Sequence, residues 1–144
     1  METKHNYQVN LTWLAERKGV LESLVLDSSI TVATPPEFPK GMAGIWSPEH
    51  LFVASVNSCF MTTFLSVAEN SKLDFKHFEC DAVGTLEKID GKYMISEITL
   101  SPILILTIEN EKGIRVLEMS EKACLIANSV KTNIKLLPQI RIEG

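Results

Sequence analysis

Alternating apolar and polar residues at the start of the chain predict β-strands. Four apolar residues recur at every second position: Tyr7, Val9, Leu11 and Trp13. A turn is predicted within residues 15–19, and strand character resumes at 21–26 and 30–33. Residues 34–46 hold three prolines and two glycines, which predicts a loop. The loop is unusually apolar, and its large apolar residues are Phe38, Met42, Ile45 and Trp46.

A helix is predicted from residue 48 to about residue 70. Ser47 is a good N-cap, Pro48 suits the first helical position, and Glu49 favours the positive end of the helix dipole. The helix is apolar on nearly every side and should therefore be buried on most of them. A chain of 144 residues offers little material to cover it. A partner subunit is the simplest cover, so an obligate homodimer is expected, with an interface beyond the standard ~1,600 Å².

The second half of the chain predicts a strand pair, a helix and a closing strand. Strands are expected over residues 75–87 and 93–108, with Asp90-Gly91 as the hairpin turn. Apolar residues at helical spacing predict a second helix over 112–130, and residues 136–142 close the chain as a short strand.

Two prolines and the order of these elements complete the predicted fold. Pro102 should mark a bulge or an edge, and Pro138 favours an edge. The order is strands, helix, strands, helix, strand. This order predicts a single α+β domain over residues 1–144, with two helices packed on mainly antiparallel sheets.

Composition excludes several classes of function. The net charge is -4 and the pI about 5.4, without the basic stripe of a nucleic-acid-binding protein. The first residues lack a signal-peptide pattern, and no apolar run approaches the ~20 residues of a membrane helix. A cytoplasmic protein without a membrane or nucleic-acid partner is therefore expected. Metal-binding, phosphate-loop and serine-hydrolase motifs are absent from the sequence, so no metal or cofactor is expected.

Three cysteines are the candidate reactive residues. Cys59 lies within the first predicted helix, Cys124 lies beside the apolar stripe of the second, and Cys80 lies on a strand. Free cysteine is among the most buried residue types, so each one taken alone is more often a small core residue than a nucleophile. Glu49 and Arg17 have equally ordinary interpretations, as a first-turn acid and a solvated turn residue.

Two segments nevertheless resemble motifs of the OsmC/Ohr family. Residues 44–59, GIWSPEHLFVASVNSC, resemble its first helix, in which a Pro-Glu start and a run of small and apolar residues lead to a cysteine. Residues 123–129, ACLIANS, are similar to its second-cysteine helix. The order of elements agrees over nearly the whole chain. The family commonly has proline directly after the second cysteine, where this chain has Leu125, and the departure suggests a divergent branch.

The resemblance implies an intertwined homodimer that reduces organic hydroperoxides. Cys59 matches the peroxidatic cysteine and Cys124 the resolving cysteine. Glu49 matches the glutamate that holds an arginine, for which Arg17 in the N-terminal turn is the best match. The guanidinium would favour the Cys59 thiolate, and the resulting disulfide would need an external dithiol of the dihydrolipoamide or thioredoxin kind. The apolar loop residues Phe38, Met42, Ile45 and Trp46 would form the substrate pocket.

One geometric consequence does not depend on the resemblance to a family. Glu49 and Cys59 are ten positions apart on one helix, which separates them by about 15 Å and roughly 80°. If both serve one site, Glu49 is expected to come from the partner subunit. Two alternatives remain open: a non-catalytic dimer that binds a small molecule and keeps its cysteines as packing, and a purely structural relative without a pocket.

Overall fold

A computed structural model describes residues 3–144 of the chain. The contacts divide the chain into two compact units, one up to Leu51 and one from Phe52 to Gly144. One long helix, α1 (Pro48–Asn70), belongs partly to each unit. The organisation as one domain stays a prediction.

The first unit contains a three-stranded antiparallel sheet. Its strands are β1 (Asn10–Ala15), β2 (Lys18–Glu22) and β3 (Ile30–Ala33), in that spatial order. The predicted turn is confirmed, and Glu16 takes a positive φ of 52° there. The start of β1 was predicted too early, at Tyr7, and the start of β2 too late, at residue 21. Strand pairing begins at Asn10, and β2 pairs with β1 directly after the turn, from Lys18.

The second unit is a four-stranded sheet with two helices. After α1 its elements are β4 (His77–Ile89), β5 (Lys92–Leu106), α2 (Lys112–Ala123), a 3-10 turn (Ala127–Ser129), β6 (Asn133–Leu136) and β7 (Gln139–Ile142). The β4–β5 hairpin is antiparallel, and its turn has positive φ at both Asp90 and Gly91, as predicted. The α+β class is confirmed, although β6 and β7 both pair with β5 in parallel.

The closing strand predicted over residues 136–142 is in fact two strands. They pair with successive stretches of β5, and Pro138 lies in the gap between them. Pro102 faces the same gap. Leu137 N–H donates to the carbonyl of Leu100 at 2.8 Å, and residues two apart on a strand direct their backbone groups to the same side. Pro102 therefore lies at an interruption of the ladder, whereas the bulge of this hairpin falls between Thr85 and Leu86.

Local hydrogen bonds explain both ends of α1. At the start, His50 N–H donates to Ser47 Oγ at 3.1 Å, which is the predicted N-cap. At the end, Leu73 N–H donates to Ala68 O and Lys72 N–H to Glu69 O. Lys72 has a φ of 55°, so the helix ends in a Schellman motif without a glycine.

Only one stripe of α1 is fully buried within the chain. Its members recur at every fourth position: Val56, Phe60, Phe64 and Ala68. They join the second unit's core, where Phe64 stacks on Phe78 with ring centroids 4.5 Å apart. Away from this stripe, Met61 is 41% exposed and Leu65 is 43% exposed. One chain therefore leaves an apolar face of α1 uncovered.

The prediction that no segment is long and apolar enough to be a membrane helix is wrong for α1. Its 23 residues, with a mean hydropathy of 1.6 in the most apolar window, satisfy that criterion by length and composition alone. The buried stripe, which packs in the sheet's hydrophobic core, is typical of a globular core helix.

The second helix is shorter than predicted. It ends at Ala123, whereas the apolar spacing predicted helix as far as residue 130. Cys124 is the C-cap, with an extended ψ of 113°, and a separate turn follows it. Ile126 packs against the core from this turn, so the apolar spacing continues although the helix does not.

Candidate active site

The structure brings Cys59 and Cys124 together. Cys59 lies in the middle of α1, and Cys124 is fully buried directly after α2. The Cys124 thiol lies 4.0 Å from the carbonyl oxygen of Val56, one helical turn before Cys59. The two thiols are near enough for each to change the pKa of the other. The broken end of α2 thus places one cysteine against the other.

Cys59 is the more acidic of the two thiols. Burial by itself would raise the pKa of Cys59. Hydrogen bonds from the backbone N–H of Ile126, the Cys124 thiol, the Thr63 hydroxyl and the backbone N–H of Leu125 reverse this effect, so the pKa lies below its ordinary value. Thr63 Oγ1 is 3.8 Å from the sulfur. These donors all favour the thiolate, which is the nucleophilic form of cysteine.

The environment of Cys124 has the opposite effect. Burial is the main cause that raises the pKa of Cys124, although a hydrogen bond from the backbone of Ala127 acts against it. The hydrogen bond to Cys59 and the negative charge on that sulfur raise the pKa further. The pKa of Cys124 is therefore raised, whereas that of Cys59 is lowered.

Cys80 does not share this environment. Burial raises the pKa of Cys80 to about 11, and the nearby carboxylate of Asp81 adds to the rise despite a backbone hydrogen bond from Ser101. Its thiol donates to the carbonyl of Asp81 at 3.6 Å. Cys80 is partly buried and packs against the core, as predicted for a strand residue.

Arg17 and Glu49 both lie in the first unit. Arg17 is exposed in the β1–β2 turn, and Glu49 lies in the first turn of α1. Within residues 3–144 of one chain, the two side chains form no ion pair, and Oε1 of Glu49 is buried without a hydrogen-bond partner. Arg17 and Pro48 line the same cavity, which has a volume of about 310 Å³. The other residues that line it are Leu11, Trp13, Glu16, Lys18, Gly19, Val32, Ala33 and Thr34.

The four apolar loop residues lie outside the lining of this cavity. Phe38, Met42 and Ile45 are partly buried, and Trp46 is 53% exposed. The backbone carbonyl of Trp46 accepts a hydrogen bond from Ala33 N–H at 2.8 Å, which ties the loop to the first sheet. A role for these side chains in substrate binding stays a prediction.

Within residues 3–144, no group of three or more His, Cys, Asp or Glu side chains is arranged to hold a metal ion.

The family model of the OsmC-like protein matches residues 41–137, which is more than half of the chain. The chain belongs to the OsmC-like family. Its match includes α1, both cysteines of the pair and α2, whereas Arg17 lies outside the matched residues. A comparison with curated proteins gives no match.

Solved OsmC-like structures share the fold over almost their whole length. An OsmC-like protein of unknown function from Vibrio cholerae is 23% identical, with a TM-score of 0.84 over 94% of this chain and 99% of that one. An organic hydroperoxide resistance protein OsmC from Legionella pneumophila is 18% identical, with a TM-score of 0.76 over 96% and 100%. An organic hydroperoxide resistance protein from Elizabethkingia anophelis is 20% identical, with a TM-score of 0.76 over 98% and 100%.

Sequence reasoning about this OsmC-like chain missed three contributors to the Cys59 environment. Thr63 lies four residues after Cys59 on the same helix, and this spacing places both side chains on one face, so it was a readable signal. The backbone N–H groups of Leu125 and Ile126 left no such signal. They become donors only because α2 ends before them.

Proposed function

We propose that this OsmC-like protein is a thiol peroxidase that reduces organic hydroperoxides with Cys59 and resolves the product with Cys124. The observation that carries the proposal is the placement of the Cys124 thiol after α2 against the carbonyl oxygen of Val56, one turn before Cys59 on α1. The pKa of Cys59 is lowered there and that of Cys124 is raised. Packing alone does not require the pKa of one cysteine to be lowered and that of the other to be raised. The relatives known as organic hydroperoxide resistance proteins support the choice of substrate class.

The proposed reaction has two steps before reduction. The Cys59 thiolate attacks the terminal oxygen of the hydroperoxide, the O–O bond breaks, and the leaving alkoxide takes a proton to become an alcohol. Sulfur is oxidised to the sulfenic acid, and the peroxide is reduced. The Cys124 thiol then attacks the Cys59 sulfur, which releases water and forms the disulfide. Each turnover thus consumes one hydroperoxide and oxidises two thiols.

An external dithiol of the dihydrolipoamide or thioredoxin kind would restore the thiols by disulfide exchange. It supplies the two electrons and two protons that the peroxide has consumed. This cycle needs a reducing compartment, and the proposed location is therefore the cytoplasm.

We further propose that the working form is a homodimer. The uncovered face of α1, with Met61 and Leu65, and the exposed apolar side chains Leu11 and Trp13 of β1 provide apolar surface for a second copy. In this assembly Arg17 would pair with Glu49 and act on Cys59, and the buried Oε1 of Glu49 would gain its missing partner. Light scattering at micromolar concentration should give the mass of a dimer, and a monomer would contradict the proposal.

Three cysteine variants test the division of roles. Cys59→Ser should abolish turnover, because a hydroxyl stays protonated at neutral pH and attacks O–O poorly. Cys124→Ser should give one rapid turnover and then stall as the sulfenic acid over-oxidises. Cys80→Ala is the matched control and should keep turnover. Mass spectrometry of the peroxide-treated protein should detect a Cys59–Cys124 disulfide, and a crosslink to Cys80 instead would reject the assignment.

The cavity in the first unit supports a second candidate function, which is binding of an apolar small molecule without catalysis. Its volume of about 310 Å³ lies at the lower end of the range for ligand pockets. The two functions differ in the reactivity of Cys59. A peroxidase requires rapid alkylation of this thiol near neutral pH, whereas a binding protein with packing cysteines does not.

A further inference from the structure

The two cysteines of the proposed pair differ in how accessible they are. Cys124 is 0% exposed, and its thiol lies 4.0 Å from the carbonyl oxygen of Val56. The residues before it on the same side of α2, Leu117 and Ser120, are fully enclosed as well. Cys59 is only partly buried in the middle of α1. An external molecule therefore reaches the sulfur of Cys59 more readily than that of Cys124.

Short side chains lie beside Cys59 on the outer side of α1. Helical spacing places Ser55, Thr62 and Ser66 on the same side as this cysteine. Thr62 and Ser66 are exposed, and Ser55 is partly buried. Two of the hydroxyls donate to carbonyl oxygens of the helix itself, Ser55 to Phe52 O at 2.7 Å and Thr62 to Cys59 O at 3.0 Å. Such short side chains, held against their own helix, leave room for a molecule beside the sulfur.

We propose that the reducing dithiol attacks the sulfur of Cys59 in the Cys59–Cys124 disulfide, and that Cys124 is the first thiol to be released. The inference rests on the proposed function, since it names the sulfur at which that cycle is completed. The hydroperoxide has to reach Cys59 in the working dimer, so the assembly keeps an opening to this sulfur. The dithiol uses the same opening, and one sulfur meets both the oxidant and the reductant.

The exchange has two steps. One thiolate of the dithiol attacks the Cys59 sulfur, the bond to Cys124 breaks, and the Cys124 sulfur takes up the proton that the first thiol lost on ionisation. The second thiol of the reductant then loses its proton and attacks the dithiol sulfur of the mixed disulfide, which closes the reductant's own disulfide and releases Cys59 as a thiolate. The protein gains two electrons, and the dithiol loses two. The lowered pKa of Cys59 makes it a good leaving group in this second step.

The acidity of the two thiols opposes this order in the first step. A thiolate of lower pKa leaves faster, so acidity alone would direct the attack to Cys124 and release Cys59. An attacking thiolate must, however, reach the sulfur in line with the bond that breaks. For Cys124, which is fully enclosed, such an approach requires local opening of the core. We expect the cost of this opening to outweigh the difference in acidity.

The test locates the mixed disulfide that a monothiol forms, because a monothiol lacks the second thiol of the reductant. The full-length Cys80→Ala protein, which lacks the third thiol, is oxidised with diamide and then treated with glutathione. Samples are quenched with acid at increasing times, and mass spectrometry of the peptides locates the glutathione. The earliest adduct should lie on Cys59, in at least about tenfold excess over Cys124. A smaller excess, an adduct mainly on Cys124, or failure of diamide to form the disulfide would overturn the proposal.

A second measurement compares the two thiols one at a time. Cys124→Ser and Cys59→Ser, each combined with Cys80→Ala, leave a single cysteine to react with oxidised glutathione. The rate per thiolate, taken from each variant's own pH profile, should be at least about tenfold higher for Cys59 than for Cys124. A smaller difference would overturn the proposal.

Neither measurement uses peroxide, so the inference and the proposed function fail in different ways. A protein that gives both expected results but reduces no hydroperoxide would contradict the proposed function alone. A protein that reduces hydroperoxides through the Cys59–Cys124 disulfide but carries the first adduct on Cys124 would contradict this inference alone.

Discussion

Replacing Thr63 with valine removes one hydrogen bond to the Cys59 sulfur and leaves the side-chain shape nearly unchanged. The Thr63 hydroxyl lies 3.8 Å from Cys59 Sγ, one turn further along α1. It is one of the donors that lower the pKa of Cys59 against the opposing effect of burial. Its loss should therefore raise this pKa and leave less thiolate at neutral pH.

The geometry of this contact sets the size of the effect. A short hydrogen bond to a charged group contributes about 1.5–3 kcal/mol. The separation of 3.8 Å is long even for sulfur, and the thiol is only partly buried, so solvent screens the interaction. A loss of about 0.5 kcal/mol is the reasonable expectation, and at about 1.36 kcal/mol per tenfold this is roughly a twofold change.

The neighbouring residue Thr62 provides a matched control. Its hydroxyl donates to the carbonyl oxygen of Cys59 at 3.0 Å and not to the sulfur. Thr62→Val therefore makes the same chemical change on the same helix, and it should leave the alkylation rate of Cys59 at pH 7 unchanged. Thr63→Val should slow that rate about twofold. Equal rates for the two variants would refute the assignment of Thr63 as a thiolate donor.

Three further changes test other parts of the structure. Arg17→Ala should slow peroxide reduction at least tenfold, about 1.4 kcal/mol, in stopped-flow kinetics, if the guanidinium stabilises the Cys59 thiolate; unchanged kinetics would leave Arg17 as a solvated turn residue. Phe64→Ala should lower the free energy of unfolding by about 3–5 kcal/mol in urea titrations, because the side chain is fully buried. Gly41→Ala should lower it by about 1–3 kcal/mol, since the new Cβ would overlap the backbone carbonyl of Pro35; thermal unfolding without a shift would contradict that.

The fold was most predictable where a local signal acts alone. Ser47 and Pro48 correctly placed the start of α1, and Asp90-Gly91 correctly placed the hairpin turn. Prediction failed where tertiary contacts determine the backbone conformation. The end of α2 was placed seven residues too late, at residue 130 rather than Ala123, because Ile126 keeps the helical spacing of apolar residues while it packs from a turn. Apolar periodicity reports which residues face the core, and it does not report where the backbone changes conformation.

The candidate site was predictable only in part for the same reason. The resemblance drew attention to Cys59 and Cys124, whereas local sequence alone favoured core packing for both. Neither argument gives the acidity of a thiol. The pKa of a thiol depends on nearby hydrogen-bond donors such as the backbone of Leu125. That backbone group lies outside α2 because the helix ends at Ala123, and no residue near this point predicts the end of the helix.

The three cysteines differ in the groups that act with or against burial. Burial tends to raise the pKa of each thiol, and for Cys80 and Cys124 it prevails. Cys80 receives one backbone hydrogen bond, but the charge of Asp81 acts with burial. At Cys124, the hydrogen bond to Cys59 and the charge of that sulfur raise the pKa, whereas backbone hydrogen bonds from Ala127 and Ile126 lower it. Cys59 and Cys124 each have two backbone hydrogen bonds that lower the pKa, but only at Cys59 do side-chain hydrogen bonds, from Cys124 and Thr63, lower it as well.

The ending of α2 at Ala123 therefore connects fold and reactivity. A helix continued through residues 124–130 would use the N–H groups of Leu125 and Ile126 in its own hydrogen bonds. Cys59 would keep the opposing effect of burial and lose both main-chain donors. The end of α2 places the Cys124 thiol 4.0 Å from the carbonyl oxygen of Val56, one turn before Cys59, and backbone hydrogen bonds from residues 125 and 126 are among the causes that lower the pKa of Cys59.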